Sequence, residues 1–472
     1  MNRRADSTLA AGAGSDLDPA LLVKRADLEA LARGWLWLGL LALAGSGVFA
    51  ILLVVSRTPQ LNQWLPVADF FRVALIVHVN LSVLVWFVAL AGMLWSMTGS
   101  GRATGLAWLA LRLCTAGTVL MVLAPFVGRA PPIMANYVPV LDGPVFLAGL
   151  AVFGLGSAAL VVRGLIATRP IGPGLAAGGA LRFGLNASMV AAAVAVLAFA
   201  ASWLLVPRTL DGQIYYEILF WGGGHALQFV WTLLMLVGWL WLAEAGGARV
   251  SLTPRLIVAL FALALALVFA TPWAYLAASV TSVEFRHINT WAMRLGGGIA
   301  IVPVGFAVAL GMLRAGAARS ASVPPLRAAL IASIVLFGAG GVIGALISGS
   351  NVRIPAHYHG CIVGVTLALM GLVYLLLPRL GYRAPSGRLA FWQPLLYGAG
   401  QLLHIIGLVW SGGYGVQRKV AGAEQVLRSA SEVAGMGLMG LGGLIAVIGG
   451  LLFVVVVAQA MRSRPAPTEA GR

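Results

Sequence analysis

The 472-residue chain is 60% apolar and only 10% charged, with a mean hydropathy of +0.96. A soluble domain carries roughly 25% charged residues, so an assembly of soluble cores is excluded. The formal net charge of +17 does not imply nucleic-acid binding, because the basic residues follow a membrane topology.

In chain order, a polar segment of mixed charge occupies residues 1–34 and lacks the features of a secretory signal. Apolar runs of about 20 residues, the length that crosses a bilayer, then recur to the end. Spans are predicted at about 35–56, 73–97, 104–127, 138–163, 182–207, 214–242, 254–279, 294–313, 325–349, 356–377, 389–411 and 433–461. A short polar tail, 462–472, follows. The predicted fold is all-α: one twelve-helix integral membrane domain over 35–461. Its 60 glycines are spread through the spans, and small residues let membrane helices approach closely.

With both termini inside, twenty of the 31 Lys and Arg fall on inner segments. That bias is the positive-inside signature; it places the chain in a bacterial inner membrane with both termini cytoplasmic. Cys114 and Cys361 stand far apart and make no disulfide framework. No Cys-x-x-Cys-His run is present, so a covalent c-type haem is not expected on this chain.

The six histidines, His78, His225, His287, His357, His359 and His404, all fall at the outer level of this topology. Polar residues inside a membrane are costly and usually functional, so one shared level suggests one shared site. In Ile354-Pro355-Ala356-His357-Tyr358-His359 the two imidazoles point about 200° apart around a helix. One helix can therefore ligate two cofactors, one on each side. Imidazole suits haem iron when its other ring nitrogen is oriented by an acceptor.

This order of histidines resembles the catalytic subunit of the haem–copper oxidase superfamily, from about His78 to Lys419. The resemblance implies two haems: one low-spin between His78 and His359, one high-spin on His357. It implies a non-haem metal, copper or iron, on His225 and His287. His404 matches a non-ligand histidine of the family. Arg418 and Lys419 fall where a basic pair binds haem propionates, and arginine suits bidentate carboxylate recognition.

Three departures bear on substrate. One histidine of the expected metal trio is missing from Glu284-Phe285-Arg286-His287-Ile288-Asn289, which leaves Glu284 or Asn289 as an oxygen donor, a harder ligand than imidazole. The phenol that oxygen-reducing members use is replaced by Phe229, four residues after His225, and span seven offers only Tyr275. No Lys, Asp or Glu lies in the inner half of a span, Glu244 being nearest; protons would enter from outside, past acids such as Asp69, Asp142, Asp211, Glu217, Glu284, Glu424 and Glu432. The missing phenol and the missing inner proton carriers resemble the nitric oxide reductases. Their usual glutamate after the span-six histidine is also absent, with Gln228 the nearest polar substitute.

The expected function is reduction of nitric oxide to nitrous oxide, with His225, His287, His357, Glu284, Asn289 and Gln228 around the reacting gas. Two gas molecules held on adjacent metals gain from proximity, and the non-haem metal acts as a Lewis acid. The alternatives are an oxygen reductase, and a haem protein for electron transfer or gas sensing with a dead metal site. Electrons are expected from a redox subunit (a cytochrome c or a copper-containing subunit II) or directly from quinol.

Overall fold

A computed structural model describes residues 21–58, 68–128, 130–172, 175, 178–318, 320–347, 351–419 and 426–462. Twelve helices among them are long and apolar enough to cross a membrane. They are α1 (Ala26–Arg57), α2 (Phe71–Thr98), α3 (Thr104–Phe126), α4 (Pro144–Ile166), α5 (Gly179–Leu205) and α6 (Gly212–Ala245). Next come α7 (Pro254–Ala277), α8 (Val283–Leu313), α9 (Val323–Ala345), α10 (Arg353–Leu380), α11 (Gly387–Gly413) and α12 (Ala430–Arg462). Most of the 1–34 segment, the tail beyond Arg462 and Glu424 lie outside the described residues.

Two helices begin well before their apolar runs. Helix α1 starts at Ala26 instead of Trp35, because Leu28, Leu31 and Ala32 already pack fully buried on one side. Helix α8 starts at Val283, eleven residues ahead of the predicted span. There the Ser282 hydroxyl accepts from Phe285 N at 3.1 Å, an N-cap that satisfies one of the donors a helix start leaves open.

Helices α6 and α10 form the centre: 89% of the most apolar stretch of each is buried, against 22% for α7. The outer helices pair around them, α3 with α4, α5 with α6, α9 with α10 and α11 with α12, and α12 returns to α1. Glycines set how closely the pairs approach. On α12, Gly435, Gly442 and Gly449 recur every seven residues against α11. A Cβ on Gly442 would lie 2.3 Å from His404 N, and one on Gly449 2.5 Å from Tyr397 N. The α9–α10 pair is sealed likewise, a Cβ on Gly360 falling 2.6 Å from the Gly340 Cα.

The connection between α3 and α4 is a small antiparallel hairpin, β1 (Pro132–Ile133) with β2 (Val140–Leu141), Pro132 opposite Leu141. It lies over α2 and α6. Asn80 Nδ2 holds it by donating to Pro139 O at 2.8 Å.

At the arginine-rich end of the bundle, guanidinium groups reach main-chain carbonyls. Arg163, 0% exposed, donates to Trp95 O at 3.1 Å and Ser100 O at 3.0 Å, where α2 ends. Arg327 donates to Gly246 O at 2.8 Å after α6, and Arg33 to Leu380 O at 3.2 Å at the end of α10. These carbonyls lie at or just past the ends of their helices, beside the negative dipole end; Trp95 O also accepts from the Gly99 backbone N at 3.1 Å.

Candidate functional site

His78 stands just before a break in helical regularity. Residues Asn80–Val85 form a π-helical turn inside α2, a feature common at functional sites. At its start the His78 carbonyl accepts from the Ser82 hydroxyl at 2.7 Å and from the Ser46 hydroxyl at 3.3 Å. The His78 ring is fixed as well. Its Nδ1 lies 3.0 Å from the Ser46 carbonyl and 2.9 Å from the Ser46 hydroxyl. An Nδ1–H donated to the carbonyl leaves the Nε2 lone pair available for a metal.

His359 on α10 lies within electrostatic reach of His78, His404 and Arg57. Its ring centroid is 4.9 Å from that of His404, whose own Nδ1 donates to Met439 O at 3.0 Å. Three imidazoles from α2, α10 and α11 thus gather in one region. His357 faces a different neighbour, as the 200° offset requires. Its Nδ1 donates to the Gly340 carbonyl on α9 at 2.7 Å, so Nε2 is again the free nitrogen. Gly344 makes the room, since a Cβ there would lie 2.4 Å from that Nδ1.

His225 on α6 is 5% exposed. Its Nδ1 lies 2.8 Å from the Trp221 carbonyl. The hydroxyl of Tyr137, from the loop of the hairpin, lies 2.9 Å from Nδ1 and 3.0 Å from Nε2. Both nitrogens are satisfied when Nδ1–H donates to Trp221 and the phenol donates to Nε2. The run Gly222-Gly223-Gly224 before His225 admits the surrounding rings. Cβ atoms there would meet Tyr275 Oη at 2.5 Å, Phe199 at 2.4 Å and Tyr137 Cγ at 2.3 Å. Gln228 lies near the same phenol, and Phe229 is buried. Sequence reasoning missed Tyr137. The glycine run was the available signal, since three adjacent glycines in a helix expose backbone to something large.

The remaining predicted residues do not join His225. His287 belongs to α8, not to a connection, and is exposed. The buried face of α8 runs through Phe285, Asn289 and Ala292, and a residue two positions from Phe285 points about 200° away. Glu284 is exposed too. Asn289, 1% exposed, has both amide atoms engaged: Nδ2 donates to Phe285 O and Oδ1 accepts from the Thr271 hydroxyl, each at 2.9 Å. Tyr275 bonds to Ser202 Oγ at 2.6 Å and to Ala198 O at 2.9 Å.

Above His225 a cavity of about 290 Å³ opens between Asn136, Gln213, Ile214, Glu217, Ile218, Arg286, Arg418 and Lys419. Glu217 accepts from the Asn136 backbone N at 3.0 Å and from its side-chain amide. Lys419, at a left-handed φ of 63°, donates to Met134 O and, at 3.1 Å, to Asn136 Oδ1. Burial, helped by the Arg418 charge and opposed by Glu217, lowers the Lys419 pKa to about 8. Burial and the Glu217 charge both push the Tyr137 phenol up, so it stays protonated and able to donate. Of the other outer acids, Asp142 accepts from Tyr216 Oη at 2.9 Å and Asp211 caps α6 by accepting from Ile214 N at 3.1 Å.

The donor sets differ in what they suit. His78 and His357 each have Nδ1 tied to a carbonyl and Nε2 free, an arrangement that suits haem iron and that His404 shares through Met439 O. A non-haem metal does not fit, because His225 stands without the other donors expected beside it. Among the described residues no three of His, Cys, Asp and Glu converge as a metal cage.

Twelve apolar helices with imidazoles gathered at one end of the bundle define a multi-pass membrane protein. The family described as Cytochrome C and Quinol oxidase polypeptide I matches residues 30–452, and the chain belongs to it. It is accordingly a divergent haem–copper oxidase-type oxidoreductase subunit. An uncharacterized protein of Rickettsia prowazekii (strain Madrid E) is 28% identical, the match covering 92% of this chain and 96% of that one. Another uncharacterized protein, of Aquifex aeolicus (strain VF5), is 26% identical over 76% of this chain and 88% of its own.

Proposed function

We propose that this chain is the haem-holding subunit of a bacterial inner-membrane gas reductase, and that nitric oxide is its substrate: 2 NO + 2 e⁻ + 2 H⁺ → N₂O + H₂O. His78 and His359 would hold one haem and His357 a second, which when bound would supply electron transfer and an open iron position for the gas. The observation that carries this reading is the matched orientation of His78 and His357, each with Nδ1 tied to a carbonyl and Nε2 left for iron. Arg418 and Lys419 would bind propionates from the outer side. Electrons would come from a redox subunit or quinol.

Two features favour nitric oxide. Phe229 places a buried phenyl one turn after His225, where oxygen-reducing members carry a phenol. The polar groups next to Tyr137 are Asn136, Glu217 and Lys419 on the outer side, which suits uptake of two protons from outside. Oxygen reduction is the second reading, and Tyr137 favours it, because a phenol does reach His225 from another part of the chain. Turnover of the purified, reduced complex separates them. Fast N₂O formation, slow O₂ consumption and no proton ejection from vesicles are expected. Rapid O₂ reduction with negligible N₂O would assign the protein to oxygen, and haem reduction without turnover to electron transfer or sensing.

A further inference from the structure

We propose that the His225 site holds no non-haem metal, and that a Tyr137–His225 hydrogen-bonded pair takes the metal's place as the polar group offered to the gas. The inference rests on the reading of His357 as a haem ligand only for its second half.

A protein metal centre of the kind expected here needs three or more donors in one place. His225 contributes one, already engaged by Tyr137 and the Trp221 carbonyl. His287 cannot be brought round without turning α8 by about half a revolution, which would expose Phe285 and Asn289, both buried. Asn289 is held on two sides, by Thr271 and Phe285. Arg286, beside His287, lines the outer cavity, and its carbonyl accepts from Trp221 Nε1 at 3.4 Å. The space beside His225 is filled by design of the sequence: Gly224 lacks the Cβ that would strike the Tyr137 ring.

A phenol that donates to an imidazole, with Gln228 beside it, is a fixed dipole. Such a group stabilises charge developing on a bound ligand without a metal ion. With a gas bound, the single phenol proton would turn from His225 Nε2 to the gas oxygen, a role that a Lewis acid would otherwise fill.

The test uses the full-length protein in detergent, expressed with ample copper and iron and dialysed against a mild chelator. Copper, iron and haem are counted in the same sample. We expect iron equal to haem and no stoichiometric copper. One equivalent of copper or of iron beyond haem, lost in His225→Leu and kept in Tyr137→Phe, would overturn the inference. The haem count tests the underlying reading separately, and the metal count decides this one at any haem content. Carbon monoxide on the reduced protein then probes the pair: Tyr137→Phe should shift the C–O stretching frequency, with the haem content and visible spectrum otherwise unchanged. An identical frequency in wild type and Tyr137→Phe would remove Tyr137 from the site.

Discussion

The Tyr137 hydroxyl lies 2.9 and 3.0 Å from the two ring nitrogens of His225, across 88 residues of sequence. That contact depends on Gly224, whose α-hydrogen faces the phenol ring. Gly224→Ala would put a Cβ 2.3 Å from Tyr137 Cγ and push the ring off His225. Overpacking of this kind costs about 1–3 kcal/mol, whereas Tyr137→Phe keeps the ring and loses a hydrogen bond worth about 1 kcal/mol. Thermal unfolding should therefore rank Gly224→Ala below Tyr137→Phe; the reverse order would mean that the ring does not pack on α6.

Substitution of the haem-ligand candidates should divide two haem signals. His78→Ala and His359→Ala are each expected to abolish the low-spin absorption, and His357→Ala the high-spin component. Ser46→Ala should do neither, because the Ser46 main-chain carbonyl, 3.0 Å from His78 Nδ1, remains. Reduced-minus-oxidised spectra of the four variants check this, and loss of one and the same haem in all three histidine variants would refute the division.

Lys419 makes a pH prediction. Its pKa is near 8 in the fold against 10.5 for the free side chain, so between those values the unfolded chain binds more protons. Stability contributed by this group therefore rises as pH climbs through that window. Unfolding midpoints measured from pH 7 to 10 should rise more in wild type than in Lys419→Met. Parallel profiles would show that the ammonium is not buried as described.

The seam between α11 and α12 supplies a matched pair of variants. Gly442→Ala places a Cβ 2.3 Å from His404 N, while a Cβ on Gly437 meets nothing within 4 Å. The first should lower the unfolding temperature by the equivalent of about 1–3 kcal/mol and disturb the His404–Met439 contact; the second should be tolerated. Equal effects would argue against close backbone contact along this seam.

The spans and the opposite facing of His357 and His359 were legible because both follow from local period: about 20 apolar residues for a span, about 200° for two positions on a helix. The placement of His287 in a connection rather than a helix has the same physical origin. Glu284, Arg286 and Asn289 made the segment look like a loop, and a loop histidine can face anywhere. Once Ser282 caps a helix there, period decides the direction, and His287 points away from Asn289. Tyr137 was invisible because no local pattern brings a hairpin residue onto a helix 88 positions later; only the glycines recorded its arrival.

The arginines at the ends of α2, α6 and α10 carry two instructions in one side chain. Their charge is of the kind that positive-inside insertion reads, and their donors close the helix ends once the helices meet. Any lysine would serve the first instruction; the chain has only two lysines among its 31 basic residues. Lysine is a point charge with no planar fork, so it lacks the two separate nitrogens with which Arg163 reaches Trp95 O and Ser100 O. Replacing Arg33, Arg163 and Arg327 together by lysine should leave every helix inserted in its original direction, yet yield a bundle that comes apart at a lower temperature. Orientation and cohesion, which the native chain acquires from the same residues, would then be separated in a single variant.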